Sequence, residues 1–147
     1  MKGKRSEILL IEDNPGDIRL VREALGEYGM PHRLEVVVDG VAALEYLGRE
    51  KSSLKDSLPD LILLDLNLPK KDGREVLTAI KADADLRRIP VVVFSSSEAA
   101  EDIVGAYDQH ANCYICKPLD LDQFIQVVGL IVRFWIDAVK LPTKVAE

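Results

Sequence analysis

Positive charge is in short supply in this chain: 19 lysines and arginines face 25 aspartates and glutamates, a net charge of −6. An acidic surface repels phosphate backbones, so nucleic acid is not an expected partner. Cysteine and histidine are rarer still, with two of each. Cys113 and Cys116 sit in the run Cys-Tyr-Ile-Cys just before Lys117-Pro118. That run reads as a strand, on which residues three apart point to opposite faces. A redox pair normally opens a helix, so both thiols are expected to be buried and unpaired. His110 could add a third zinc ligand, but no fourth lies nearby. Long apolar runs are missing as well. The most apolar stretch, Val127 to Ile136, is broken by Arg133 and is too short to cross a bilayer. No amino-terminal segment resembles a signal peptide, and the expected location is the cytoplasm. No glycine-rich phosphate loop follows the first apolar run, which counts against a flavin or nucleotide site.

What is present suffices for one core: 147 residues, 48% hydrophobic and 30% charged. The expectation is a single domain over residues 1–147, with its core at about 7–140 and short tails. The organising stretch is Pro59-Asp60-Leu61-Ile62-Leu63-Leu64-Asp65-Leu66-Asn67-Leu68-Pro69. An unbroken apolar run bounded by prolines predicts a strand buried on both faces of a parallel sheet. Similar runs begin at Ile8, Leu34, Val91 and Cys113, and helical spacing intervenes each time. Asn14-Pro15 opens a first helix that Gly29 ends; Val41 to Leu47 forms a short second one stopped by Gly48. Residues 49–58 are polar and aperiodic and read as a mobile loop. Glu75 to Ala82 and Glu98 to Gln109 follow as helices, the latter packing through Ile103, Val104 and Tyr107. A last helix runs from Leu121 to about Lys140. Such alternation predicts an α/β fold with a parallel sheet and right-handed crossovers, which gather all strand ends at one edge.

Those ends carry Glu12-Asp13, Asp65, Ser95 and Lys117. Three carboxylates converging in a cleft repel one another unless a cation relieves them. Their ligands are all hard oxygens, which suits Mg²⁺ with open positions for phosphate oxygens. A carboxylate beside such a cation can attack a phosphoryl group. Lys117 and the Ser95 hydroxyl would then neutralise and bind its oxygens.

In their order along the chain, Glu12-Asp13, Asp65 within Leu-Leu-Asp-Leu-Asn-Leu-Pro, Ser95 and Lys117-Pro118 make the sequence resemble a receiver domain of the two-component response regulators. The resemblance implies a flavodoxin-like, doubly wound five-stranded parallel sheet in the order 2-1-3-4-5 with helices on both faces. It implies Asp65 as the phosphorylated residue. Mg²⁺, or Mn²⁺ in its place, would be held by Asp13, Asp65 and the backbone carbonyl of Asn67, with Glu12 acting largely through water. It also implies Ser95 as switch hydroxyl, Tyr114 as switch aromatic, a cis peptide before Pro118, and hydrolysis tuned through Asn67 and Ser97. The protein would be a signalling protein rather than an enzyme, assisting only its own phosphorylation and dephosphorylation. Phe134-Trp135-Ile136, Val139 to Pro142 and the loop before the third strand further resemble the small stand-alone regulators of cyanobacterial phytochromes. A phytochrome-type sensor histidine kinase is then the expected phosphodonor, and the downstream protein is unknown. No helix-turn-helix or basic signature suggests DNA, so output is expected through protein contacts.

The last helix carries a second apolar stripe. Leu121, Phe124, Ile125, Val128, Ile131, Val132, Trp135 and Val139 should face the sheet, while Val127, Leu130 and Phe134 lie well round the helix. A helix apolar on two sides is buried on two sides, which predicts a homodimer through Val127, Leu130 and Phe134. Two other readings compete. A Mg-dependent phosphohydrolase with an aspartyl nucleophile usually has a second acid two residues on, where this chain has Asn67. An interaction module that has lost phosphorylation would not be expected to keep every site group.

Overall fold

Apolar runs four to six residues long become strands only if both faces are covered, and helices flanking the sheet supply that cover here. The structure is a computed structural model that describes residues 5–53 and 58–142. The strands are β1 (Ser6–Ile11), β2 (His32–Val37), β3 (Leu61–Leu64), β4 (Val91–Ser95) and β5 (Cys113–Cys116). Between and after them come α1 (Pro15–Tyr28), α2 (Gly40–Ser52), α3 (Gly73–Ala82), α4 (Ala100–Asp108) and α5 (Leu121–Val132). The sheet order is β2-β1-β3-β4-β5 and all pairs are parallel. This is the flavodoxin-like order that the resemblance to receiver domains implies, and the parallel pairing is the one the alternating pattern predicts.

The pleat divides the core in two. Leu9, Ile11, Ile62, Leu64, Val91 and Val93 face α2 and α3, packing on Leu47, Val76, Leu77 and Ile80. Ile8, Leu10, Leu61, Leu63, Val92 and Phe94 face α1 and α5, packing on Leu25, Phe124, Val128 and Ile131. Each such side chain contributes about 1.5–3 kcal/mol relative to exposure, so the central strands anchor the edge that carries the polar residues. The helix starts are set by side chains. Asn14 accepts the Asp17 N–H at 3.0 Å with Pro15 behind it. Asp39 accepts the Ala42 N–H at 2.7 Å. Asp72 and Glu75 form a reciprocal box. Gly29 ends α1 at a φ of 78°.

Two glycines seat the loop that follows β3. A Cβ on Gly40 would lie 1.9 Å from the Lys71 carbonyl oxygen, and one on Gly73 would lie 2.3 Å from that of Asp65. Both contacts are to backbone, which cannot step aside cheaply. Gly40→Ala is therefore expected to cost about 2–3 kcal/mol, a fall of roughly 5–10 °C in melting temperature. Gly48→Ala is the control: its Cβ would meet nothing within 4 Å, so calorimetry should show an unchanged or slightly higher melting point.

Several sequence expectations are corrected. Gly48 does not stop α2, which continues to Ser52. A helical glycine costs only about 1 kcal/mol, which burial of Tyr46 and Leu47 offsets. Part of the predicted 49–58 loop is thus helical, and its residues 54–57 lie outside the described residues, as do 1–4 and 143–147 of the tails. α5 ends at Val132 and passes into a π-helical segment, Arg133–Ala138, not a continuous α-helix to Lys140. The wider turn, closed by the Val139 N–H on the Phe134 carbonyl at 3.1 Å, returns Ile136 and then Leu141 to the core. The Tyr28 hydroxyl donates to Asp137, tying this segment to α1. Leu121, expected on the sheet face, is the first residue of α5 and is 62% exposed, and the first buried residue of that helix is Phe124. In α4, Val104 and Tyr107 are exposed, and the small Ala106 makes the buried contact. Cys113 and Cys116 are half-buried and unpaired.

Candidate functional site

Register decides what meets at the carboxyl edge. Ile11 pairs with Leu64, so Glu12 and Asp65 leave adjacent strands at the same level. Leu64 pairs with Val93 and Ser95 with Cys116, so Ser95 and Lys117 follow on the next two strands. The Lys117 N–H donates to the Ser95 carbonyl at 2.8 Å, which fixes the lysine at the end of β5. Parallel strands thus deliver to one place residues separated by up to 105 positions.

The centre of the site is the Lys117 ammonium. It donates to Glu12 Oε1 at 2.7 Å, to Asp17 Oδ2 at 2.7 Å and to Asp65 Oδ2 at 3.1 Å. Glu12 is 2% exposed and Asp65 7%. Burial pushes the Glu12 carboxyl up to about 7, against the opposing pull of its Lys117 hydrogen bond and charge. The three carboxylates around it hold Lys117 above the usual lysine range, and they outweigh its own burial. Oxygens of Glu12, Asp13 and Asp65 lie within 4.8 Å of one another. That oxygen-only set, with Asp13 exposed on its open side, fits a hard divalent cation and not zinc. Asn67 donates its N–H to Asp65 Oδ1 at 3.3 Å, so its peptide lies against the carboxylate.

Ser95 is fully buried. Its Oγ accepts the Ser97 N–H at 3.2 Å. The Ser97 hydroxyl donates to Asp102 Oδ2 at 2.6 Å, and Asp102 Oδ1 accepts from Arg74 Nη2 at 2.7 Å. Those two bonds, Ser97 first, hold the Asp102 carboxyl below the usual range. The Tyr114 hydroxyl donates to the Ser97 carbonyl at 2.9 Å. Ser95 and Tyr114 therefore meet through one residue, Ser97, and Arg74 of α3 joins the same network through Asp102 of α4. The peptide before Pro118 is trans, since no described peptide bond is cis. That corrects an expectation carried by resemblance alone. An X-Pro bond differs between isomers by only about 0.5–1 kcal/mol, so no local pattern could decide it.

The structure brings Glu12, Asp13, Asp65 and Lys117 together at this edge, with Ser95 one strand over. Val127, Leu130 and Phe134 lie elsewhere, on α5 and just past it. Sequence reading missed Asp17, and also Arg74 and Asp102. An Asp in the first turn of a helix ordinarily reads as a favourable partner of the helix dipole. The usable signal was position: α1 begins where β1 ends, so its first turn lies on the edge that collects the strand tips.

Comparison with known proteins agrees with this geometry. Residues 8–129 match the family model described as the response regulator receiver domain. The chain is 46% identical to the response regulator Rcp1 of Synechocystis over 135 residues, 92% of each protein. The crystal structure of the phosphorylated cyanobacterial phytochrome response regulator RcpA superposes with a TM-score of 0.89 at 52% identity, covering 95% of this chain and 99% of that one. The Mn²⁺-bound form of Rcp1 gives 0.85 at 46% identity over 93% and 99%.

Proposed function

This chain belongs to the family of response regulator receiver domains, and from that we propose that it takes a phosphoryl group from a sensor histidine kinase onto Asp65 and signals through protein contacts. The observation that carries this is the Lys117 ammonium shared between Asp65 and Glu12 in a buried pocket at the strand ends. An Asp65 carboxylate oxygen attacks phosphorus; that P–O bond forms while the donor's bond to phosphorus breaks, and the donor leaves with the electron pair. Lys117 follows the developing charge, and the Ser95 hydroxyl donates to a phosphoryl oxygen. Glu12, Asp13, Asp65 and the Asn67 carbonyl would hold Mg²⁺, whose charge offsets that of the phosphoryl oxygens. The Mn²⁺-bound relative supports a divalent ion in this place.

Drawing Ser95 toward the phosphoryl group pulls on Ser97, and so on the Tyr114 hydroxyl and α4. We assign Ser95 and Tyr114 as the switch pair on this basis. We take the whole chain as a single receiver domain in the cytoplasm. The similarity to RcpA supports a phytochrome-type kinase as donor. The test is incubation with acetyl phosphate and Mg²⁺: intact mass should rise by one phosphoryl group per chain. No uptake, or steady turnover of small phosphoesters, would overturn it, the latter favouring the phosphohydrolase reading.

A homodimer through α5 is part of this proposal. Leu130 on α5 is 59% exposed and Phe134, in the π-helical segment just past it, 53%, whereas Val127 is already half covered by its own core. Phe134→Glu should halve the mass seen by light scattering; an unchanged mass would remove Phe134 from the interface.

A further inference from the structure

We propose that Asp17 is a positioning residue for phosphoryl transfer, holding the Lys117 ammonium at the open side of the acidic pocket; this rests on the reading of Asp65 as phosphoacceptor. An ammonium has three donors, and here each has one carboxylate: Glu12, Asp17 and Asp65. Three directions fix a point, so Nζ has no free choice of place. The side chains of Glu12 and Asp65 are 3% and 9% exposed, that of Asp17 23%. Asp17 is thus the one anchor on the solvent side of the lysine.

The other two anchors are also oxygen donors of the cluster that could take a cation, and Asp17 is not. Without it, Glu12 and Asp65 alone would draw the ammonium inward. There it would shield the Asp65 nucleophile and compete with a divalent ion for the same oxygens. Asp17 gives the ammonium a counter-charge outside that set.

The turn after β1 builds this arrangement as a unit. The Asn14 main-chain N–H donates to Glu12 Oε2 at 3.2 Å, and its side chain accepts the Asp17 N–H at 3.0 Å. One residue therefore orients both of the closest Lys117 anchors. Asp17 acts through Lys117, and does not itself touch the phosphoryl group.

The experiment is a four-way cycle of wild type, Asp17→Asn, Lys117→Ala and the double variant. Each is followed by intact mass with Mg²⁺ across a range of acetyl phosphate concentrations. Thermal melts confirm folding, and Asp17→Ala serves as a second variant. Asp17→Asn is expected to lower the saturated rate roughly ten- to hundred-fold, with little change in the half-saturating concentration. In the Lys117→Ala background the same change should have no effect, because the residue it positions is gone. A wild-type rate in Asp17→Asn, or an equal loss in both backgrounds, overturns the inference and leaves the proposed function standing. A wild-type chain that takes up no phosphoryl group removes that function and the inference with it.

Discussion

Asp65→Asn is expected to leave the chain folded and unable to gain mass from acetyl phosphate and Mg²⁺. An amide is not a nucleophile toward phosphorus at neutral pH, and it cannot replace the charge that Asp65 lends to a cation. Stability should not suffer. The Asp65 charge helps to raise Glu12, so its removal relieves repulsion while Lys117 keeps Glu12 and Asp17 as partners. The expected change in melting temperature is therefore zero or a rise of a few degrees, within about 1 kcal/mol. A variant that still gains one phosphoryl group would move the acceptor elsewhere. Asp13, the exposed carboxylate of the same cluster, would be the first alternative.

The parts of this site that were legible in the sequence are those that depend on the sheet. Runs such as Leu61 to Leu64 have one stable environment, the middle of a covered parallel sheet. Once they are placed there, the residue after each run has to lie on a common edge. Glu12, Asp65, Ser95 and Lys117 follow from that rule alone. What escaped depends on helix rotation and on side chains reaching between elements. Spacing in α4 shows that Ile103, Val104 and Tyr107 are near one another, but not that Ala106 is the residue turned inward. The π-helical segment after α5 has no sequence mark of its own; it follows from where Ile136 and Leu141 find room. Asp17 and Asp102 each look like ordinary first-turn acids, and only their partners, Lys117 and Arg74, give them a role.

Lys117→Met should produce the largest stability change at the site, one that depends on pH and on metal. Methionine keeps the volume and removes the charge. Glu12 and Asp65, both buried, then face each other beside Asp13 without a cation. Breaking a buried ion pair from one side costs about 3–5 kcal/mol, a fall of roughly 6–15 °C in melting temperature. Protonation of Glu12 limits that cost at low pH. In the wild type its carboxyl is raised from 4.5 to about 7, so the folded state binds this proton more tightly than the unfolded chain. The associated stability is present below pH 4.5 and is lost as pH rises towards 7. Lys117 opposes the shift, so its removal carries Glu12 higher and extends the falling limb above pH 7. The variant in EDTA should therefore be much less stable at pH 8 than at pH 6. Millimolar Mg²⁺ should restore most of the loss, because a divalent charge replaces the ammonium among the same oxygens. Phosphoryl uptake should stay slow even then, since Mg²⁺ restores the charge balance of the pocket without supplying the donor that follows the transferred group. Melting curves at the two pH values, with EDTA and with Mg²⁺, test this directly. An equal loss under all four conditions would mean that Lys117 matters through packing, and that the acidic cluster is not a charge-frustrated pocket.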